Sequence, residues 1–149
     1  VVKKKPSPLR EHSLSLVAAG VLLVWIVLYR SSSSSTHWGA FFGNAIADWS
    51  GVFVTVVATK FFYERGSAES KTPPKKWKAK IPRILENHSL TILLVVTGVG
   101  WLIAFARMKP DSKWGQVVGN LLSEWVQLLG VVLLTKRFFE SGSAESRRR

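Results

Sequence analysis

Asp48 and Glu124 are the residues in this chain best placed to do chemistry. Each stands in the middle of an apolar run: "GNAIADWSGVFVTVVATK" begins at Gly43, and "GNLLSEWVQLLGVVLLTK" begins at Gly119. On a helical wheel Asn44, Asp48, Gly51, Thr55 and Thr59 share an arc of about 80°. Asn120, Glu124, Gln127, Val131 and Thr135 repeat it, with Val131 interrupting the polar line. An acid at mid-depth in a membrane helix costs at least about 3 kcal/mol if it faces lipid, so such residues mark ion or proton routes or pair with a partner. The spacing therefore predicts that both seams turn inward and meet. Asn44 and Asn120 stand one turn from their acids and are placed to donate hydrogen bonds to them. The plainer alternative is interhelical glue, for which Asn and Thr suffice at roughly 0.6 kcal/mol per bond.

The elements that carry these residues are legible from hydropathy. Residues 13–29 and 89–106 contain no charged side chain, and residues 38–59 and 114–135 contain one each, Asp48 and Glu124. At about 1.5 Å rise per residue all four runs span or nearly span a hydrocarbon layer about 30 Å thick. All six prolines fall outside them. A soluble bundle would need a polar side on each helix, and "LVAAGVLLVWIVLY" has none. The start of the chain resembles a signal peptide, but no small-x-small cleavage site follows, and the segment is read as retained. There is no cysteine, which excludes disulfides and thiol chemistry.

Residues 4–71 align without a gap to residues 80–147, and 22 of the 68 positions are identical. The identities are punctuation and polar residues: His12-Ser13-Leu14 with His88-Ser89-Leu90, Trp25 with Trp101, Thr59-Lys60 with Thr135-Lys136, and "GSAES" at 66–70 and 142–146. The fold expected is all-α: a four-transmembrane-helix bundle of two tandem parallel helical hairpins. Repeat one is 1–71, with helices at about 13–30 and 38–63. A basic interfacial linker covers 72–87. Repeat two is 88–149, with helices at about 89–107 and 114–139.

The net charge is +12, and its placement favours a membrane over nucleic acid. Seventeen of the 21 Lys and Arg residues fall on the side of the termini and linker, four on the side of the two short loops. The positive-inside rule puts both termini in the cytoplasm. Lys75, Lys76, Lys78, Lys80 and Arg83 are the expected headgroup contacts. Trp38, Trp77 and Trp114 fall at the expected interfaces.

"HSLSLV" opening the first span, an acid beside Trp in the second ("ADWSG", "SEWVQ") and the closing "GSAES" resemble an uncharacterised family of small bacterial multi-pass membrane proteins. The resemblance covers most of each repeat. It implies a bacterial inner-membrane location and supplies no activity.

Other residues are read more modestly. Gly39, Gly43, Ala47 and Gly51, with Gly115, Gly119 and Ser123, form a small-residue stripe suited to close helix approach. His12 and His88, with their polar neighbours, are expected to cap helices. Their weaker alternative is to ligate a haem or pigment, and otherwise no cofactor and no metal is expected. Gly66 and Gly142 are read as helix-ending glycines. Glu64 and Glu69, which recur as Glu140 and Glu145, are read as surface-paired. No nucleophile–base pair or phosphate loop is present, so no catalysis is expected. Two functions remain: an accessory or scaffold subunit contacting other membrane proteins, or a small homo-oligomeric cation or proton conductor built on Asp48 and Glu124.

Overall fold

The computed structural model describes residues 12–70, 82–138, 141 and 143. Its helices are α1 (Ser13–Ser31), α2 (His37–Phe61), the short α3 (Arg83–Asn87), α4 (Ser89–Arg107) and α5 (Lys113–Arg137). Among the described residues there is no strand, only one bridge between Glu64 and His88. α1, α2, α4 and α5 are each long and apolar enough to cross a membrane. The described residues form the all-helical fold of a multi-pass membrane protein.

The principal packing runs in one order: α1 on α2, α2 on α5, α5 on α4. α2 and α5 are therefore central, and α1 and α4 are flanks. The flanks bury little: Ala18 and Tyr29 on α1, and Ser89, Leu90 and Leu94 on α4. Their remaining surface is apolar and exposed, as lipid-facing helices require. The core is a seam of Ile46, Ala47 and Ala58 from α2 with Val117, Leu121, Trp125 and Val132 from α5, joined by Tyr29, Leu90 and Leu94.

Side-chain caps start the two central helices. Thr36 and Ser112 each accept from the amide three residues on, Gly39 and Gly115, at 3.0 Å. His12 and His88 precede α1 and α4 but make no side-chain cap, which corrects the sequence expectation. Both imidazoles are engaged elsewhere. The helix-ending role expected for Gly66 is also corrected. α2 ends at Phe61 in extended backbone, and Gly66 lies five residues on, with φ +92, in the turn that closes when Ser67 N–H donates to the Glu64 carbonyl.

The small-residue stripe is used differently along its length. A Cβ added at Gly39 would lie 1.9 Å from the Ser33 carbonyl oxygen, and one at Gly115 would lie 2.3 Å from that of Lys109. These two glycines let each tight loop fold back onto its helix. Gly43 faces the Tyr29 ring and Gly119 the Phe105 ring, both at 3.1 Å for a built Cβ. They set the close approach of α1 to α2 and of α4 to α5. Ala47 is buried, and Gly51 faces α5. Ser123, the counterpart of Ala47, is exposed.

Gly39→Ala and Gly115→Ala should each destabilise the protein by about 1–3 kcal/mol through overpacking against fixed backbone. Gly20→Ala and Gly100→Ala, with open space around the added methyl, should be neutral or stabilising by up to about 1 kcal/mol. Thermal unfolding in detergent measures all four.

Candidate functional site

The α2–α5 contact brings the two polar seams together. Asn120 Nδ2 donates to Asn44 Oδ1 across the helices. This replaces the expected arrangement, in which each amide serves the acid on its own helix. Further along, the Glu124 carboxylate lies over Gly51, where a Cβ would come within 2.8 Å of Oε2. Glycine at 51 thus makes room for the acid of the opposite helix. Thr59 and Thr135 donate their hydroxyls to the carbonyls four residues back, Thr55 and Val131, at 2.6 and 2.8 Å. Such back-bonding satisfies the donor and leaves an oxygen lone pair exposed.

The inward orientation of the seam is only partly realised. Asn44, Asp48 and Gln127 are exposed, and Glu124 is half-buried. The reason is the packing order. With α2 and α5 adjacent and the other helices outside them, the contact line is filled by Ala47, Gly51 and Ala58. The longer polar side chains are pushed to its rim. Beyond Gly51 the rim leads to a cavity of about 110 Å³, walled by Thr55, Thr59, Gln127 and Val131 and closed by Leu90 and Leu94 of α4. That volume has room for a few water molecules, but its lining is mainly apolar, with Thr55, Thr59, Glu69 and Gln127 the polar residues among Val54, Ala58, Leu128 and Val132.

A second polar cluster lies at the end of the protein where α2 exits and α4 begins. The Glu64 side chain is fully buried. Its carboxylate accepts from Lys136 Nζ at 2.6 Å, from His88 Nδ1 at 2.7 Å and from the Thr91 amide at 3.3 Å. Burial pushes its pKa up, but the bonds from Lys136, His88 and Thr91 together outweigh it and hold the carboxyl below its ordinary value of 4.5. The surface pairing expected for this glutamate is thereby corrected. The segment after it is docked with equal care. Ser70 Oγ accepts from the Glu64 amide at 2.8 Å and donates to its carbonyl at 2.9 Å. Ser67 Oγ pairs with Thr135 Oγ1 at 3.0 Å, and the Ala68 amide donates to that same oxygen at 3.2 Å. Ser89 Oγ accepts from the Tyr63 amide at 2.8 Å and donates to its carbonyl at 3.0 Å. Ser67 and Ser70 are buried.

The structure thus brings Asn44 to Asn120 and Glu124 to Gly51, and puts Thr55, Thr59 and Gln127 around one cavity. It separates Thr135 from that cavity and gives it to the Ser67 loop. His12 meets Lys60 at 2.7 Å, and His88 meets Glu64. Of the expected headgroup contacts, Arg83 lies in α3, and Lys75, Lys76, Lys78 and Lys80 lie outside the described residues. Glu64 is the residue whose importance the sequence reading understates. One signal for it existed: it recurs at position 140 inside the best-matched block of the two halves, between Thr59-Lys60 and "GSAES". No protein-family model, no curated protein and no solved structure matches this chain.

Two outcomes are expected at Glu64. Lys136→Met leaves a buried carboxylate without its main counter-charge and should cost about 3 kcal/mol, less in the presence of Glu64→Gln. Because the folded pKa is depressed, the stability Glu64 contributes is present above pH 4.5 and fades as pH falls through the folded value. The unfolding temperature of the native protein should therefore drop more steeply on acidification than that of Glu64→Gln.

Proposed function

We propose that this chain is a non-catalytic accessory or scaffold subunit that binds other membrane proteins along the α2–α5 seam. One observation carries the reading: Asn44, Asp48 and Gln127 stand exposed on helices that are long and apolar enough to cross the membrane. Lipid is a costly neighbour for these groups, and a polar partner helix removes that cost. The flanks α1 and α4 offer apolar surface throughout, so the seam is the distinctive part of the molecular surface.

The architecture behind this reading is two tandem parallel hairpins. Contacts between Asn44 and Asn120 near one end, and between Ser67 and Thr135 near the other, support it. The charge asymmetry supports cytoplasmic termini, and the family resemblance supports a bacterial inner membrane. A second reading is favoured by the cavity: a small homo-oligomeric cation or proton conductor, with Asp48 and Glu124 titrating and Thr55, Thr59 and Gln127 along the route.

Purification from native membranes in mild detergent, with mass measurement of the intact particle, tests the choice. The accessory reading expects a stoichiometric foreign protein, lost in the Asp48→Asn, Glu124→Gln double variant while the fold is kept. A homo-oligomer whose proteoliposome flux disappears in the same variant would replace it with the conductor.

A further inference from the structure

We propose that His12, Ser13, Thr59 and Lys60 form a second docking site for the "GSAES" motif, and that its occupant is residues 140–146 of the same chain. These residues lie outside the described part of the structure, apart from Ser141 and Ser143. The argument starts from the first docking site, which is fully visible. There, Glu64 and the "GSAES" that follows it leave α2 and are received by four side chains of the other hairpin. Lys136 and His88 hold the Glu64 carboxylate. Thr135 holds Ser67 and the Ala68 amide. Ser89 clasps both backbone groups of Tyr63.

Receptor and motif both occur again in the sequence. His12-Ser13 matches His88-Ser89, Thr59-Lys60 matches Thr135-Lys136, and Glu140 with 142–146 matches Glu64 with 66–70. The two halves agree at only 22 of 68 positions, yet Glu64, Ser67, Ala68, His88, Ser89, Thr135 and Lys136 are all among them, and Thr91, whose amide also binds Glu64, has Ser15 as its counterpart. The Tyr63 counterpart is Phe139, and Tyr63 is held by its backbone alone, which any residue but proline supplies in full. Arg65 differs too, having Ser141 as counterpart. It contributes its amide to the Asn87 carbonyl, a bond that serine can also make.

The second receptor is already assembled. Lys60 Nζ lies 2.7 Å from His12 Nδ1, as Lys136 Nζ lies 3.5 Å from His88 Nδ1. Thr59 holds its hydroxyl on the carbonyl four residues back, in the pose that lets Thr135 accept from Ala68. A carboxylate beside Lys60 and His12 completes the arrangement seen at Glu64.

Chain length selects the occupant. α2 ends at Phe61, and three residues later Glu64 has crossed to α5. α5 ends at Arg137, three residues before Glu140. α2 and α5 are packing neighbours, so an equal crossing in the other direction reaches Lys60. The α2 exit grips α5, and the α5 exit grips α2.

The cysteine-free sequence permits a clean test. Thr59→Cys with Ser143→Cys is oxidised in membranes, beside the visible pair Ser67→Cys with Thr135→Cys. The expected result is a disulfide within one chain for both, read as a mobility shift at monomer mass. Cross-linking of the visible pair alone would overturn the proposal. So would a disulfide between positions 59 and 143 that forms only between chains. Charge exchange tests it without oxidation. Lys60→Glu should lower the unfolding temperature, and adding Glu140→Lys should restore most of the loss. A double variant no better than Lys60→Glu alone would also overturn it.

Discussion

The fold depends on how closely α2 can approach α5. Between helices in lipid there is no hydrophobic driving force, since acyl chains are as apolar as leucine. Attraction must come from packing and from polar bonds. Ala47, Gly51 and Ala58 bring the backbones together. Asn44–Asn120 then becomes reachable, and Glu124 finds its place above a residue with no side chain. The flanking helices add themselves by the same logic, ring against glycine, at Tyr29–Gly43 and Phe105–Gly119. A larger residue at 51 would disturb the acid and the helix contact together.

This dependence explains why the polar residues are arranged as they are. Small residues occupy the line of nearest approach, so long polar side chains cannot lie on it. They stand at its edge, where they meet each other across the helices or face outward. In water such an edge would be ordinary. In a bilayer it is the part of the surface that lipid satisfies least well.

The helices themselves were legible because hydropathy over about 20 residues is a strong local signal. The elements lost were those decided by distant contacts. His12 and His88 stand where a cap belongs, but Lys60 and Glu64 compete for their rings. Thr36 and Ser112, ordinary loop residues by pattern, are the side chains that cap. Gly66 follows a helix by a few positions, yet its φ serves a turn built around Glu64 and Ser70. Glu64 looked like one more acid among basic neighbours, because burial of its carboxylate depends on α4 and α5, which begin at Ser89 and Lys113. The cost of an exposed acid by itself predicts inward seams, and the packing order that moves them to the rim is set by contacts between distant helices.

At the far end of the pair, Tyr29 is buried and its hydroxyl donates to the Lys113 carbonyl. Lys113 Nζ in turn reaches the Arg30 and Ser32 carbonyls and lies 4.8 Å from the Tyr29 ring centroid. Together with the Glu64 and Ser67 contacts at the opposite end, this holds α5 like a beam fixed at both supports, by the end of α1 at Lys113 and by the segment after α2 at Thr135 and Lys136. Such a beam resists being pulled apart or slid lengthwise. The compliance that remains is torsional, in the middle stretch where Ala47 and Gly51 face α5. Asp48 and Glu124 sit on that stretch, so a few degrees of roll changes how far each acid stands from its neighbour while the ends stay put.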